Sequence, residues 1–287
     1  MNYPSRGTVG VAVVTAAGYA ALALGALPVP GYHSFAAGLA LPLALLFGPV
    51  VGWGLAAGVI LTALGRGSLA PVTLALLASV LVLALLGPHF AARFGPTLGR
   101  PADRSARTLA GYGLVVLVAT SAAAATLGWA FELLGAGPFH LVAGPAFLGL
   151  LGSSLLCGVP LFALAARFGD RLPLAERPPT TAHPSGRVLL GALVAPAWLL
   201  AGTVASVGFR VGQSLLPTTF TSRGLDFLLV VLDPALVGGG GRRVQVVLGA
   251  VSLVAIAALV RATPGAESAA TRSSDPAPEH DVGVSSR

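Results

Sequence analysis

The chain has 287 residues, 55% of them hydrophobic and only 9% charged, a balance that excludes a soluble globular protein. Its formal net charge is +7, and all 17 basic residues are arginines lying mainly between apolar runs, which marks membrane topology rather than affinity for nucleic acid. A single cysteine, Cys157, excludes a disulfide framework within the chain and leaves no thiolate set for a metal.

Residues 7–65 contain no Asp, Glu, Lys or Arg, and five further long uncharged runs follow. They lie between Arg66 and Arg93, Arg107 and Glu132, Glu132 and Arg167, Arg187 and Arg210, and Arg243 and Arg261. A membrane-spanning helix needs roughly 20 mostly apolar residues, because its backbone must be bonded internally and charge is expensive in hydrocarbon. The expectation is an all-α polytopic membrane protein with eight spans.

Span one is 8–29, ending at Pro28 and Pro30. It is too long for the apolar stretch of a cleaved signal and reads as retained. Span two, about 33–47, stops at the turn pair Gly48-Pro49, and span three, about 50–65, follows at once as the second arm of a helical hairpin. Span four starts at Pro71, a good first-turn residue, and reaches about Arg93, with Gly87-Pro88 near its end. Residues 94–107 form a basic loop. Span five is 108–134 and span six 139–168, joined by Gly135-Ala136-Gly137-Pro138. Pro145 and Pro160 predict kinks in span six, where Ser153 and Ser154 could satisfy freed carbonyls. Residues 169–186 are a proline-rich linker, span seven is 187–209 and span eight 243–261. Between the last two, the apolar stretch 225–237 is too short to cross and reads as interfacial or re-entrant. The tail 262–287, rich in Ser, Ala, Pro and charge, is expected to be disordered.

The domain reading is a six-helix bundle over 1–168, a cytoplasmic linker over 169–186, two appended transmembrane helices over 187–261 and a cytoplasmic tail over 262–287. With the N-terminus inside, the arginines of the 93–107 and 167–187 loops fall in the cytoplasm and the turns at 30–33 and 135–139 outside carry none, as the positive-inside bias requires. The expected location is the plasma membrane, multi-pass, with both termini cytoplasmic.

This topology collects unusual side chains on the outer side: His33 at the start of span two, Arg66 after span three, Trp129 and Glu132 closing span five, and His140 opening span six. An ionisable residue within a span points to a functional site. The competing reading is interfacial, with Glu132 solvated among headgroups and Trp129 in the aromatic belt. If the Trp129–Glu132 face turns inward, the carboxylate is expected to find Arg66, His140 or His33. Small residues also repeat every four positions: Ala12, Ala16 and Ala20 in span one, and Gly54 and Gly58 in span three. That spacing permits close helix approach, either within the chain or against a partner. Trp53 reads as an interface anchor. No nucleotide loop, His-Glu metal helix or nucleophile elbow appears, so neither an enzyme nor a cofactor is expected.

The run Leu45-Leu-Phe-Gly-Pro-Val-Val-Gly-Trp-Gly-Leu-Ala-Ala-Gly58, followed by Gly65-Arg-Gly-Ser-Leu69, resembles the substrate-binding S components of energy-coupling-factor vitamin transporters and their uncharacterised relatives. Ala125-Thr-Leu-Gly-Trp-Ala-Phe-Glu-Leu-Leu-Gly-Ala-Gly-Pro-Phe139 is similar to the same group. The likeness covers about 8–168; Val59, Ile60 and Leu61 depart from the Asn or Asp that relatives often carry there. The resemblance implies a small-molecule pocket near the outer face, a first span docking on a transmembrane coupling subunit, and partner ATPases. A weaker resemblance, through Ala37 to Leu41 and the Gly-Pro turn, is to membrane-associated sensor domains. That resemblance implies a sensor or structural interaction protein without a transported ligand.

Overall fold

A computed structural model describes residues 6–25, 36–67, 69–94, 106–168, 186–215 and 242–261. The regular elements among them are all helices: α1 (Arg6–Gly25), α2 (Ala40–Phe47), α3 (Val50–Gly65), α4 (Pro71–Phe94), α5 (Ala106–Leu133), α6 (Phe139–Phe168), α7 (Gly186–Leu215) and α8 (Arg242–Arg261). Five carry segments long and apolar enough to cross a membrane, within α1, α4, α5, α6 and α7. The apolar stretches Ala36–Phe47, Val50–Gly65 and Val244–Ala258 are shorter. The interfacial segment 225–237, the linker 169–185 and the tail 262–287 lie outside the described residues.

Boundaries follow the sequence closely, with two informative differences. The chain is helical at 36–38 and α2 begins only after a turn at Leu39, so the second apolar segment is broken near its start. Helix α7 continues past Arg210 to Leu215, because a single charge ends an apolar run without ending a helix. Pro88, Pro145, Pro160 and Pro196 all sit inside helices, as proline does where neighbouring helices can satisfy the freed carbonyls.

The tight connections rest on glycine. Gly48 has φ 83° and ψ −173°, a region essentially restricted to glycine, and its N–H donates to the Ala44 carbonyl at 2.9 Å as α2 gives way to α3. At the end of α5, Gly135 takes φ 68°. Its N–H donates to the Glu132 carbonyl (3.1 Å) and the Ala136 N–H to the Phe131 carbonyl (2.9 Å), the paired bonds of a Schellman cap.

Helix α5 is the axis of the molecule. Of its apolar window 72% is buried, against 22–39% for the other four long helices, and it packs against α4, α6, α7 and α8. Ala122, Ala123, Ala124 and Ala125 are all fully buried, a run of small side chains that lets neighbours approach from several sides. Its hydroxyls bond back to their own helix: Thr120 to the Val116 carbonyl, Ser121 to Leu117 and Thr126 to Ala122, each at 2.7–2.8 Å. Between helices, Ser79 donates to the Ala123 carbonyl (2.9 Å), Tyr112 to Ser154 (2.5 Å) and Ser154 to Gly38 (2.8 Å). The last bond serves the broken start of the second apolar segment, a different carbonyl from those the α6 prolines free.

One hydrophobic cluster runs from Tyr19 of α1 to Ile256 of α8 and includes Ala192, Ala195, Trp198 and Leu199 of α7. Helices α7 and α8 therefore share the core of the preceding helices. The exterior is apolar too: Val14, Leu74, Leu148, Leu156, Leu200, Val204 and Val254 are each at least two-thirds exposed. Soluble monomers rarely expose large contiguous apolar surface. Buried hydroxyls beneath an apolar exterior match the balance expected of a membrane-embedded bundle.

Candidate functional site: a hydrogen-bonded circuit through four helices

Three of the five residues singled out on the outer side come together where α5 ends and α6 begins. The Schellman cap folds the chain back, and the Phe139 backbone N–H donates to Glu132 Oε2 at 2.8 Å. Phe139 is fully buried and opens α6, so its amide is one of the donors a helix N-terminus leaves unsatisfied. The carboxylate supplies the acceptor and its negative charge complements the helix dipole. Glu132 thus bonds to a backbone amide, where the sequence predicted a basic side chain.

The next residue, His140, shares a 3.0 Å hydrogen bond from Nδ1 with Ser206 Oγ on α7. One turn earlier on α7, the Gly202 carbonyl accepts from Gln245 Nε2 of α8 at 2.8 Å. The Gln245 backbone carbonyl in turn accepts from Trp129 Nε1 on α5, also at 2.8 Å. These bonds close a circuit from α5 through α6, α7 and α8 back to α5. Its packing is equally specific. A Cβ on Gly202 would lie 2.6 Å from the Phe139 ring, and one on Gly249 would run into the Trp129 indole. Trp129 and Trp198 meet edge to face with centroids 6.5 Å apart.

Two polar atoms in this layer are left over. Gln245 is 1% exposed and Trp198 2%, yet among the described residues neither Gln245 Oε1 nor Trp198 Nε1 has a hydrogen-bond partner. The amide orientation follows from chemistry, since only the NH₂ end can donate to the Gly202 carbonyl. The α7–α8 part of the circuit therefore holds one buried acceptor and one buried donor. A buried polar group without a partner costs on the order of 1–3 kcal/mol, which a molecule bonding to it would recover. Among the described residues no group of three or more His, Cys, Asp or Glu could hold a metal ion.

The other predicted residues lie elsewhere. Arg66 follows α3 and its Nη2 donates to the Ala23 carbonyl of α1 at 2.7 Å. His33 lies outside the described residues. The small-residue ridge of α1 faces α3 within the chain: a Cβ on Gly54 would strike Ala12 and Thr15, and one on Gly58 would meet Ala16 and Tyr19. Ala16 and Ala20 are buried there, while Trp53 is 65% exposed on the bundle's exterior. Trp198, Ser206 and Gln245 were missed by sequence reasoning. Trp198, Gly202 and Ser206 repeat every four residues on α7, and Gln245 is an amide within the last apolar run; those were the available signals.

Comparison with family models, characterised proteins and solved structures finds no match to this chain.

Proposed function

We propose that the chain is a multi-pass integral membrane protein of the plasma membrane that binds a small polar molecule at the α5–α8 circuit, as the ligand-binding subunit of a transporter and without enzymatic activity of its own. The observation carrying this reading is that Gln245 Oε1 and Trp198 Nε1, a buried acceptor and a buried donor, have no hydrogen-bond partner among the described residues. Unsatisfied buried polar groups in a native structure point to an unseen partner, such as a ligand or an ordered water. The layer pairs its single carboxylate internally, so an uncharged ligand with both a donor and an acceptor suits it best. The likeness of 8–168 to energy-coupling-factor S components supports the transporter assignment and implies a coupling subunit and ATPases as partners. N- and C-termini in the cytoplasm follow from the arginine distribution.

The test uses the full chain purified in mild detergent. Water-soluble vitamins and small neutral amides are screened by thermal melting, and a ligand at a hundred times its Kd stabilises by about 2.7 kcal/mol. The expected result is a compound that raises Tm in the wild type and much less in Gln245→Leu, together with recovery of a stoichiometric ATP-hydrolysing partner. Absence of both would return the chain to the sensor or structural interaction class.

A further inference from the structure

Helix α1 makes its main contacts with α3, and α2 packs on α3, α4 and α6. Between α1 and α2 runs a cavity of about 430 Å³, floored by Leu55 of α3. Its walls include Gly10, Val14, Gly18 and Leu22 of α1 and Leu43 and Phe47 of α2. It is apolar throughout: the Thr15 hydroxyl on its wall is already bonded to the Val11 and Ala12 carbonyls. The lining follows α1 from Gly7 to Leu22, about 22 Å at 1.5 Å per residue. Volume over length gives a mean cross-section of about 20 Å², whereas a helix with side chains, at least 10 Å across, needs about 80 Å². The groove is wide enough for a polymethylene chain and too narrow to enclose a helix.

A cation lies just beyond one end of the groove. Leu22 is the last α1 residue on its wall, and the next residue, Ala23, holds the Arg66 guanidinium through its carbonyl. Tyr19, 4% exposed, also lines the groove near this end, and among the described residues its hydroxyl makes no hydrogen bond. A narrow apolar slot with a cation just past its end is complementary to an anionic amphiphile. We infer that the α1–α2 groove is a binding site for an anionic phospholipid, with an acyl chain between the helices and the headgroup phosphate at Arg66 and Tyr19.

Gly10 and Gly18 make the site testable, because a Cβ at either would meet nothing within 4 Å, so larger side chains there fill the groove without displacing packed neighbours. The full chain is reconstituted in phosphatidylcholine vesicles doped with phosphatidylglycerol carrying a diazirine in one acyl chain, then irradiated, and the labelled peptides are mapped. Labelling is expected to concentrate on α1 and α2 and to be largely lost in both Gly18→Leu and Gly10→Leu. Arg66→Gln is expected to reduce the preference for phosphatidylglycerol over equally labelled phosphatidylcholine about fivefold, since one basic residue at a membrane surface is worth about 1 kcal/mol. Circular dichroism and gel filtration check that each variant keeps its fold; should one glycine variant misfold, the other carries the test. Labelling spread evenly over all exposed helices and unchanged by the filled groove would overturn the inference.

Discussion

Glu132 and Gly202 meet at Phe139 from opposite sides, one through its amide and the other against its ring. Replacing Glu132 by Ala removes the acceptor for a helix-opening N–H and the charge that favours that terminus, and is expected to cost about 1 kcal/mol. Glu132→Gln keeps an acceptor and should cost less. Equilibrium unfolding in detergent would rank them, and an alanine variant as stable as wild type would show that the contact contributes nothing. Gly202→Ala works by volume, since its Cβ would overlap a fully buried ring flanked by Gly128 and Gly202, with little room to yield. Overpacking of this kind costs about 1–3 kcal/mol. Because Gly202 also presents its carbonyl to Gln245, the same variant should weaken the four-helix circuit, read as a change in Trp129 fluorescence.

Among elements, the connections were the part most legible in the sequence, and the helix faces the least. Gly48-Pro49 and Gly135 through Pro138 announced turns by their residue chemistry, and together with Pro71 and the flanking arginines they located α3, α4 and α6 to within a residue or so. Which side of α7 or α8 turns inward was hidden, because lipid-facing and core-facing sides of such helices are both apolar and no amphipathic stripe separates them. That is why Trp198 and Ser206, well inside α7, escaped notice while Trp129, Glu132 and His140, placed at helix ends, did not. The two turn glycines also differ in a testable way. Gly135 is in the left-handed helical region, where a side chain costs about 1–2 kcal/mol. Gly48 combines φ 83° with ψ −173°, so Gly48→Ala should be the more damaging of the two, about 1–3 kcal/mol with the upper end favoured. Comparable melting temperatures for both alanine variants would contradict this ranking.

At the scale of the whole molecule, the sequence divides the chain after residue 168, whereas the packing runs across that point. Trp198 and Leu199 belong to the same cluster as Leu41 and Val116, and α5 packs against α7 and α8 in addition to α4 and α6. A chain truncated after Phe168 would expose Phe139 and the Trp129 indole and remove the partners of both Trp129 and His140. The expected outcome is loss of a monodisperse species on gel filtration; a stable, correctly sized product would establish 1–168 as an independent bundle.

The inward bonding of the α5 hydroxyls bears on how such a chain is made. Synthesis delivers α5 well before α7 and α8, yet those late helices cover part of its surface. On the membrane reading proposed above, that surface faces lipid in the interval. Thr120, Ser121 and Thr126 spend their hydrogens on carbonyls one turn back in the same helix, so none of the three waits for a partner not yet translated. In a bilayer, the most buried of the long helices would thus stand as a hydrogen-bonded unit before Ser206 and Gln245 arrive to close the circuit.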